Sequence, residues 1–94
     1  MTEHSEIFNK AFENHKSGNF EVAQNLYMEI LKSEPENAEV WDLLGVLNFQ
    51  NNDFLEAEIC IKKAISIQPR LYYLENLAKL YLEKGDFSKS VDLY

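Results

Sequence analysis

The feature that most limits what this chain can fold into is a spacing. Pro35 and Pro69 stand 34 residues apart, and the segments ahead of them match. GNFEVAQNLYMEILKSEP runs from Gly18 and NDFLEAEICIKKAISIQP from Asn52, so that Phe20 answers Phe54 and Ala23 answers Ala57. A third copy, GDFSKSVDLY from Gly85, sets Phe87 against Phe54, Ser90 against Ala57 and Tyr94 against Tyr27 at an offset of 33, so one connection has lost a residue. A period of this length marks a repeat array, in which each unit buries its apolar face only by stacking on a neighbour.

Within a copy the apolar spacing is helical. Trp41, Leu44 and Leu47, then Ala57, Ile61, Ala64 and Ile65, recur in steps of three and four. The breaks KSGNF, QNNDF and EKGDF supply Gly or Asn, which enter the left-handed conformation cheaply and end a helix. The prolines end the second helix of each pair, because the residue before Pro is pushed out of the helical region. The pattern therefore predicts helices near 4–16, 20–33, 37–50, 54–67 and 71–84, with a stub from 87. This is an all-α superhelix, a solenoid of antiparallel helical hairpins. Residues 1–94 form one domain, with repeat one at about 4–37, repeat two at about 38–70 and a partial repeat three at about 71–94. Three glycines and two prolines are too little punctuation for a β protein of 94 residues.

Gly45 sits inside a helix at a cost of about 1 kcal/mol against Ala, so something gains from the missing side chain. It aligns with Ala11 and Ala78, and twelve residues after each comes Ala23, Ala57 or Ser90. Small residues thus face small residues where paired helices cross, while Trp41, Leu44, Phe54 and Ile61 fill the wider gaps around the crossing.

Charge and composition exclude several functions. Nine Lys and Arg against sixteen Asp and Glu give a net charge of -7, which excludes nucleic acid as a partner because phosphates need neutralising. Between Lys32 and Lys62 lie seven acids and no base, either a solvated face or a surface that steers basic partners. The single cysteine, Cys60, has no disulfide partner and reads as a small buried hydrophobe between Ile59 and Ile61. The N-terminus has no leader pattern and no stretch is long enough to span a membrane, so the expectation is a cytoplasmic protein with no membrane partner. Chemistry needs a nucleophile, a base or a metal set, and none is present: no cofactor or metal is expected and the chain is not read as an enzyme. His4 lies at the terminus and His15 has no second imidazole at helical spacing, leaving His15 a surface or partner-contacting role. Glu56 and Glu58 point to different helix faces and cannot share a proton.

These residues resemble the tetratricopeptide repeat family, whose pattern is W-x2-L-G-x2-Y, A-x3-F and P on a 34-residue period. Copy two carries Trp41, Leu44, Gly45, Ala57, Ala64 and Pro69. Copy three carries Leu77, Ala78, Tyr81, Gly85, Phe87 and Tyr94, and copy one Ala11, Gly18, Phe20, Ala23, Tyr27 and Pro35. Departures are Lys10 for the usual leucine, Ile30 for alanine, Asn48 for tyrosine and Ile61 for an aromatic ring.

The resemblance implies a non-catalytic protein-interaction scaffold whose first helices line a concave groove for a partner peptide. Carried over slot by slot, the groove residues are Ser5, Phe8, Asn9, Phe12, His15 and Lys16, then Glu39, Asp42, Leu43, Val46, Phe49 and Gln50. Repeat three adds Tyr72, Glu75, Asn76, Lys79, Leu82 and Glu83. One subgroup of the family holds acidic chaperone C-termini with a set of basic and amide side chains. Here Phe8, Phe12, Leu43 and Tyr72 stand in those slots, with Asn76 beside them. An incoming carboxylate would meet Asp42 and Glu39, so an apolar or basic segment is the expected partner. Phe8, Phe12, Leu43, Val46 and Phe49 are either the apolar floor of the groove or ordinary core between repeats. A second reading makes the chain the substrate-recruiting N-terminal region of a larger bacterial enzyme, since LLGV and NLAKLYLEKGDF look like repeats that precede glycosyltransferase domains. Copy three stops early in its second helix, without a polar cap. The chain thus reads as the beginning of something longer, with self-association through that open end when alone.

Overall fold

A computed structural model describes residues 3–85. Five helices follow one another: α1 (Glu3–Lys16), α2 (Phe20–Ser33), α3 (Ala38–Gln50), α4 (Phe54–Ile67) and α5 (Leu71–Lys84). No strand occurs among the described residues. Each helix lies within one residue of its expected span. The expected stub from 87, with Phe87, Ser90 and Tyr94 and the open face assigned to it, lies outside the described residues.

The turns repeat as the sequence does. Gly18, Asn52 and Gly85 follow α1, α3 and α5 with φ of 85°, 64° and 85°, the left-handed conformation that stops each first helix. Asn52 does in the second copy what glycine does in the other two, as asparagine tolerates this region better than other non-glycine residues. The connection from α2 to α3 takes residues 34–37, whereas that from α4 to α5 takes only 68–70, which locates the lost residue. Its structural cost is visible. Asn37 caps α3 by accepting the Val40 N–H at 3.1 Å and donates to Glu34 Oε1 at 2.8 Å. Arg70, at the equivalent start of α5, makes no side-chain cap bond, and an Asn cap is worth about 1 kcal/mol. Trp41 Nε1 donates to the Pro35 carbonyl at 2.8 Å, so the first residue of the repeat signature pins the connection that precedes it.

Packing follows the hairpins. α1 lies on α2 and α3 on α4, while α2 also meets α3 and α5 rests on α4. The core is accordingly three patches rather than one. Ala11, Ala23, Tyr27, Ile30, Leu44, Leu47 and Cys60 belong to the first, Ala57, Ile61, Leu77, Leu80 and Tyr81 to the second, and Ala38, Ala64 and Tyr73 to the third. Trp41 packs against both the first and the third patch. Ala78 is fully buried, and Phe54 is half-buried with its ring 5.7 Å from that of Phe49. At Gly45 a Cβ would lie 2.5 Å from Ile61 Cγ1 and 3.1 Å from the Ala57 carbonyl oxygen. The missing side chain is what lets α3 and α4 come this close. Asn48, where the repeat pattern has tyrosine, is buried and its Nδ2 points at Cys60 Sγ, 3.9 Å away on α4.

Candidate functional site

The first helices α1, α3 and α5 enclose a cleft of about 360 Å³. α1 contributes Phe12, His15 and Lys16, the following turn contributes Gly18, the start of α2 contributes Phe20, α3 contributes Leu43, Val46 and Gln50, and α5 contributes Tyr72. Helical spacing explains the set: residues three and four apart share a face, which carries Phe12, Leu43 and Val46 beside the polar His15, Lys16 and Gln50. Phe12 is 38% exposed, stacked on Phe8 at 6.2 Å between centroids, with Lys16 Nζ 5.1 Å above its ring. Lys16 also pairs with Glu13 at 3.7 Å, and both groups are solvated. Tyr72, at 55% exposure, forms the far wall.

His15 makes the floor. It is only 8% exposed, and its two nitrogens reach different helices. Nδ1 lies 2.9 Å from the Tyr27 hydroxyl of α2 and Nε2 lies 2.7 Å from Gln50 Oε1 of α3. Tyr27 is fully buried, and burial, aided by the charge of Glu39, pushes its phenol up to about 12, so it stays protonated at any physiological pH. Among the described residues no group of three or more His, Cys, Asp or Glu is placed to hold a metal ion.

Other residues assigned to the groove lie elsewhere. Asp42 does not meet an incoming ligand: it has 0% exposure, and both its carboxylate oxygens accept from Asn76 Nδ2, at 3.2 and 3.0 Å. Two groove slots are thus spent on each other. Burial, with the charge of Glu39, raises the Asp42 carboxyl to about 6 although the Asn76 hydrogen bond opposes this. Glu39 is exposed but lines a separate depression with Glu36, Gln68 and Arg70. Asn9, Glu75 and Lys79 are exposed on α1 and α5 and do not line the cleft. The expectation of a basic partner rested on Asp42 and Glu39 facing the groove, and the cleft instead has Lys16 and no carboxylate among its lining residues.

The apolar strip divides between the two roles open to it. Phe8 and Leu43 pack against the first core patch and Phe49 against the second, whereas Phe12 stands out into the cleft beside Val46. Gly18 and Phe20 are the lining residues that groove slots do not reach. Gly18 sits in the turn and Phe20 opens α2, where sequence reading takes them as a helix stop and a repeat-signature residue, and proximity to the end of α1 is the signal that places them.

Residues 38–71, which hold α3 and α4, match the family model described as tetratricopeptide repeat. Cilia- and flagella-associated protein 70 of Macaca fascicularis is 39% identical over 57 residues, 61% of this chain and 6% of that protein. The BBSome complex member BBS4 homolog of Drosophila melanogaster is 29% identical over 69 residues, 72% of this chain and 14% of that protein. The chain therefore spans a small part of the curated relatives it matches. Among solved structures, MamA of Desulfovibrio magneticus RS-1 superposes with a TM-score of 0.91 at 16% identity, covering 98% of this chain and 52% of that one. The TPR2B domain of yeast Sti1, solved as a complex with pHsp70, gives 0.90 at 19% identity over 96% of this chain and 73% of that one. An O-GlcNAc transferase of Thermobaculum terrenum gives 0.84 at 20% identity, with 99% of this chain on 19% of the enzyme. At these identities the structures speak for the fold alone.

Proposed function

We propose that this chain, which carries a tetratricopeptide repeat at residues 38–71 and has the solenoid fold of such proteins, is a protein-interaction scaffold that grips an apolar segment of a partner between its first helices. The observation that carries this reading is the cleft itself, in which three helices from successive repeats turn Phe12, Leu43, Val46 and Tyr72 toward one space. Exposed aromatic side chains around a concavity are the residue types that dominate interface energies. Supporting it, the yeast Sti1 domain of the same fold was solved in a complex, and the fly relative is described as a member of one. The reading takes the setting to be the cytoplasm; among the described residues no helix is long and apolar enough to cross a membrane. A substrate-recruiting arm of a glycosyltransferase has only the fold similarity behind it.

Peptides selected on the wild-type protein from a random display library test the reading. Binders should lose at least about tenfold in affinity to Tyr72→Ala, whose side chain is exposed, and be indifferent to Met28→Glu on α2. Selected peptides that depend on Met28 and ignore Tyr72 would move the binding surface off the cleft.

A further inference from the structure

The geometry points to a subsite for a carbonyl oxygen at Gln50, aimed by a buried relay from Tyr27 through His15; this rests on the cleft reading above. Gln50 presents its Oε1 to His15 Nε2 at 2.7 Å, a contact that exists as a hydrogen bond only when Nε2 carries the proton. The Gln50 oxygen can only accept, so it selects the tautomer with the proton on Nε2, and the Tyr27 hydroxyl is placed to complement that tautomer at Nδ1. That hydroxyl is 2.9 Å from Nδ1, and a neutral imidazole whose Nδ1 accepts from the phenol must be protonated at Nε2. A doubly protonated ring also donates from Nε2, so both charge states orient Gln50 alike.

The amide of Gln50 is planar, and its nitrogen diverges from its oxygen at the trigonal carbonyl carbon, so holding the oxygen also fixes the nitrogen. The oxygen is held by a buried ring, while Gln50 itself is exposed and lines the cleft, which leaves the NH₂ as the end of the amide available to a ligand. The site therefore combines a fixed pair of N–H donors with the apolar walls of Phe12, Leu43, Val46 and Tyr72, and no carboxylate lines it. The ligand chemistry that satisfies both is an extended peptide backbone that seats an aliphatic or aromatic side chain between those walls and offers its carbonyl oxygen to Gln50. A donor group in the same place would face two N–H bonds and be rejected. In this scheme Gln50 is the contact residue, and His15 and Tyr27 are positioning residues.

Isotope-edited NMR on the whole chain tests this, with capped nonapeptides that carry a central Leu, Ile or Phe among Ser and Gly as the probe. The expected result is that His15 holds a proton on Nε2 in the free protein, and that the Gln50 side-chain amide signals move saturably with the Phe12 and Val46 signals. Gln50→Glu still accepts from His15 but turns an oxygen outward, and should weaken these peptides about tenfold without loss of fold. Tyr27→Phe removes the donor to Nδ1, so the ring's preference for the Nε2 proton should weaken and affinity should fall. If Phe12 and Val46 respond while Gln50→Glu binds as tightly as wild type, the subsite is wrong and the cleft reading stands. If the peptides move none of these signals, both fail. If only uncapped peptides with a free carboxylate bind, Lys16 rather than Gln50 reads the oxygen and the proposal is overturned.

Discussion

Asp42 and Asn76 are joined across one period of the repeat, with the asparagine amide shared between both carboxylate oxygens at 3.0 and 3.2 Å. His15 and Gln50 make the same kind of step from the first repeat to the second. In each pair the partner sits one residue past the equivalent position in the next copy: Glu75 answers Asp42, and Phe49 answers His15. Successive first helices of this solenoid are therefore stitched by polar side chains at slots from which ligand contacts were expected.

The pairing predicts an unusual pH response. The Asp42 carboxyl is raised from its ordinary 3.8 to about 6, so between these values the folded state binds more protons than the unfolded chain. Stability from this group is fully present below about pH 4 and falls as pH rises through 6, by up to about 3 kcal/mol for a shift of two units. Urea unfolding of the wild type across pH 4 to 7 should show the fall, and Asp42→Asn should flatten it. An unchanged slope in the variant would assign the fall to a group other than Asp42.

Gly45 should tolerate no side chain. An added Cβ meets Ile61 Cγ1 at 2.5 Å and the Ala57 carbonyl at 3.1 Å, and backbone cannot swing aside. Gly→Ala in a helix ordinarily gains up to about 1 kcal/mol, so the sign itself is diagnostic here. Gly45→Ala is expected to destabilise, and Gly45→Leu to cost about 1 to 3 kcal/mol or more, read as a drop in thermal midpoint.

How much of this was legible in the sequence depends on whether backbone or side chain decides. The helix ends were legible because they rest on Gly18, Asn52, Gly85 and the two prolines, whose conformational preferences are local. The close approach at Gly45 was legible because its counterparts are also small. The cleft was legible only as a set of slots, since helical spacing says which face a residue is on but not whether a neighbour will claim its polar atoms. Asp42 was assigned to the groove by its slot in the family pattern, and its pairing with Asn76 depends on the one-residue step between repeats. His15 was read as a groove-contact or surface residue, and it does line the cleft, but its burial was not legible because the hydroxyl and amide that hold it lie on two other helices.

Phe12 and Leu47 should separate binding from folding. Leu47 is fully buried in the first core patch, and Leu47→Ala is expected to cost about 2 to 5 kcal/mol. Phe12→Ala removes a ring that is 38% exposed and should cost less than about 1 kcal/mol while weakening peptides held in the cleft. A melting loss for Phe12→Ala as large as that for Leu47→Ala would make Phe12 core and take away one wall of the cleft.

Cys60 should be nearly inert. Burial, with Glu56 and Asp53 nearby, pushes its thiol up to about 11 against the opposing contact from Asn48, and the side chain is 4% exposed. At pH 8 little thiolate is present or accessible. Labelling by a disulfide reagent should be at least about tenfold slower in the native protein than in urea. Asn48→Ala should leave this rate slow, because exclusion from water and not the 3.9 Å contact controls it.

On α4, Glu58 gives the acid limb of the stability profile. Burial alone would raise its carboxyl, but Tyr81 donates to it at 2.8 Å and Lys62 and Lys84 approach to 3.1 and 3.3 Å, which together hold it at about 2. Its ordinary value is 4.5, so this contribution is fully present above that pH and is lost as pH falls toward 2. Asp42 and Glu58 therefore pull in opposite directions, and stability from the two together should peak between about pH 4 and 5. Glu58→Gln should erase the acid limb and leave the decline toward pH 7, whereas Asp42→Asn should do the reverse. Unfolding midpoints for both variants at pH 3, 4.5 and 7 would separate the two groups, and a peak that stays in place in either variant would assign the profile to other carboxylates.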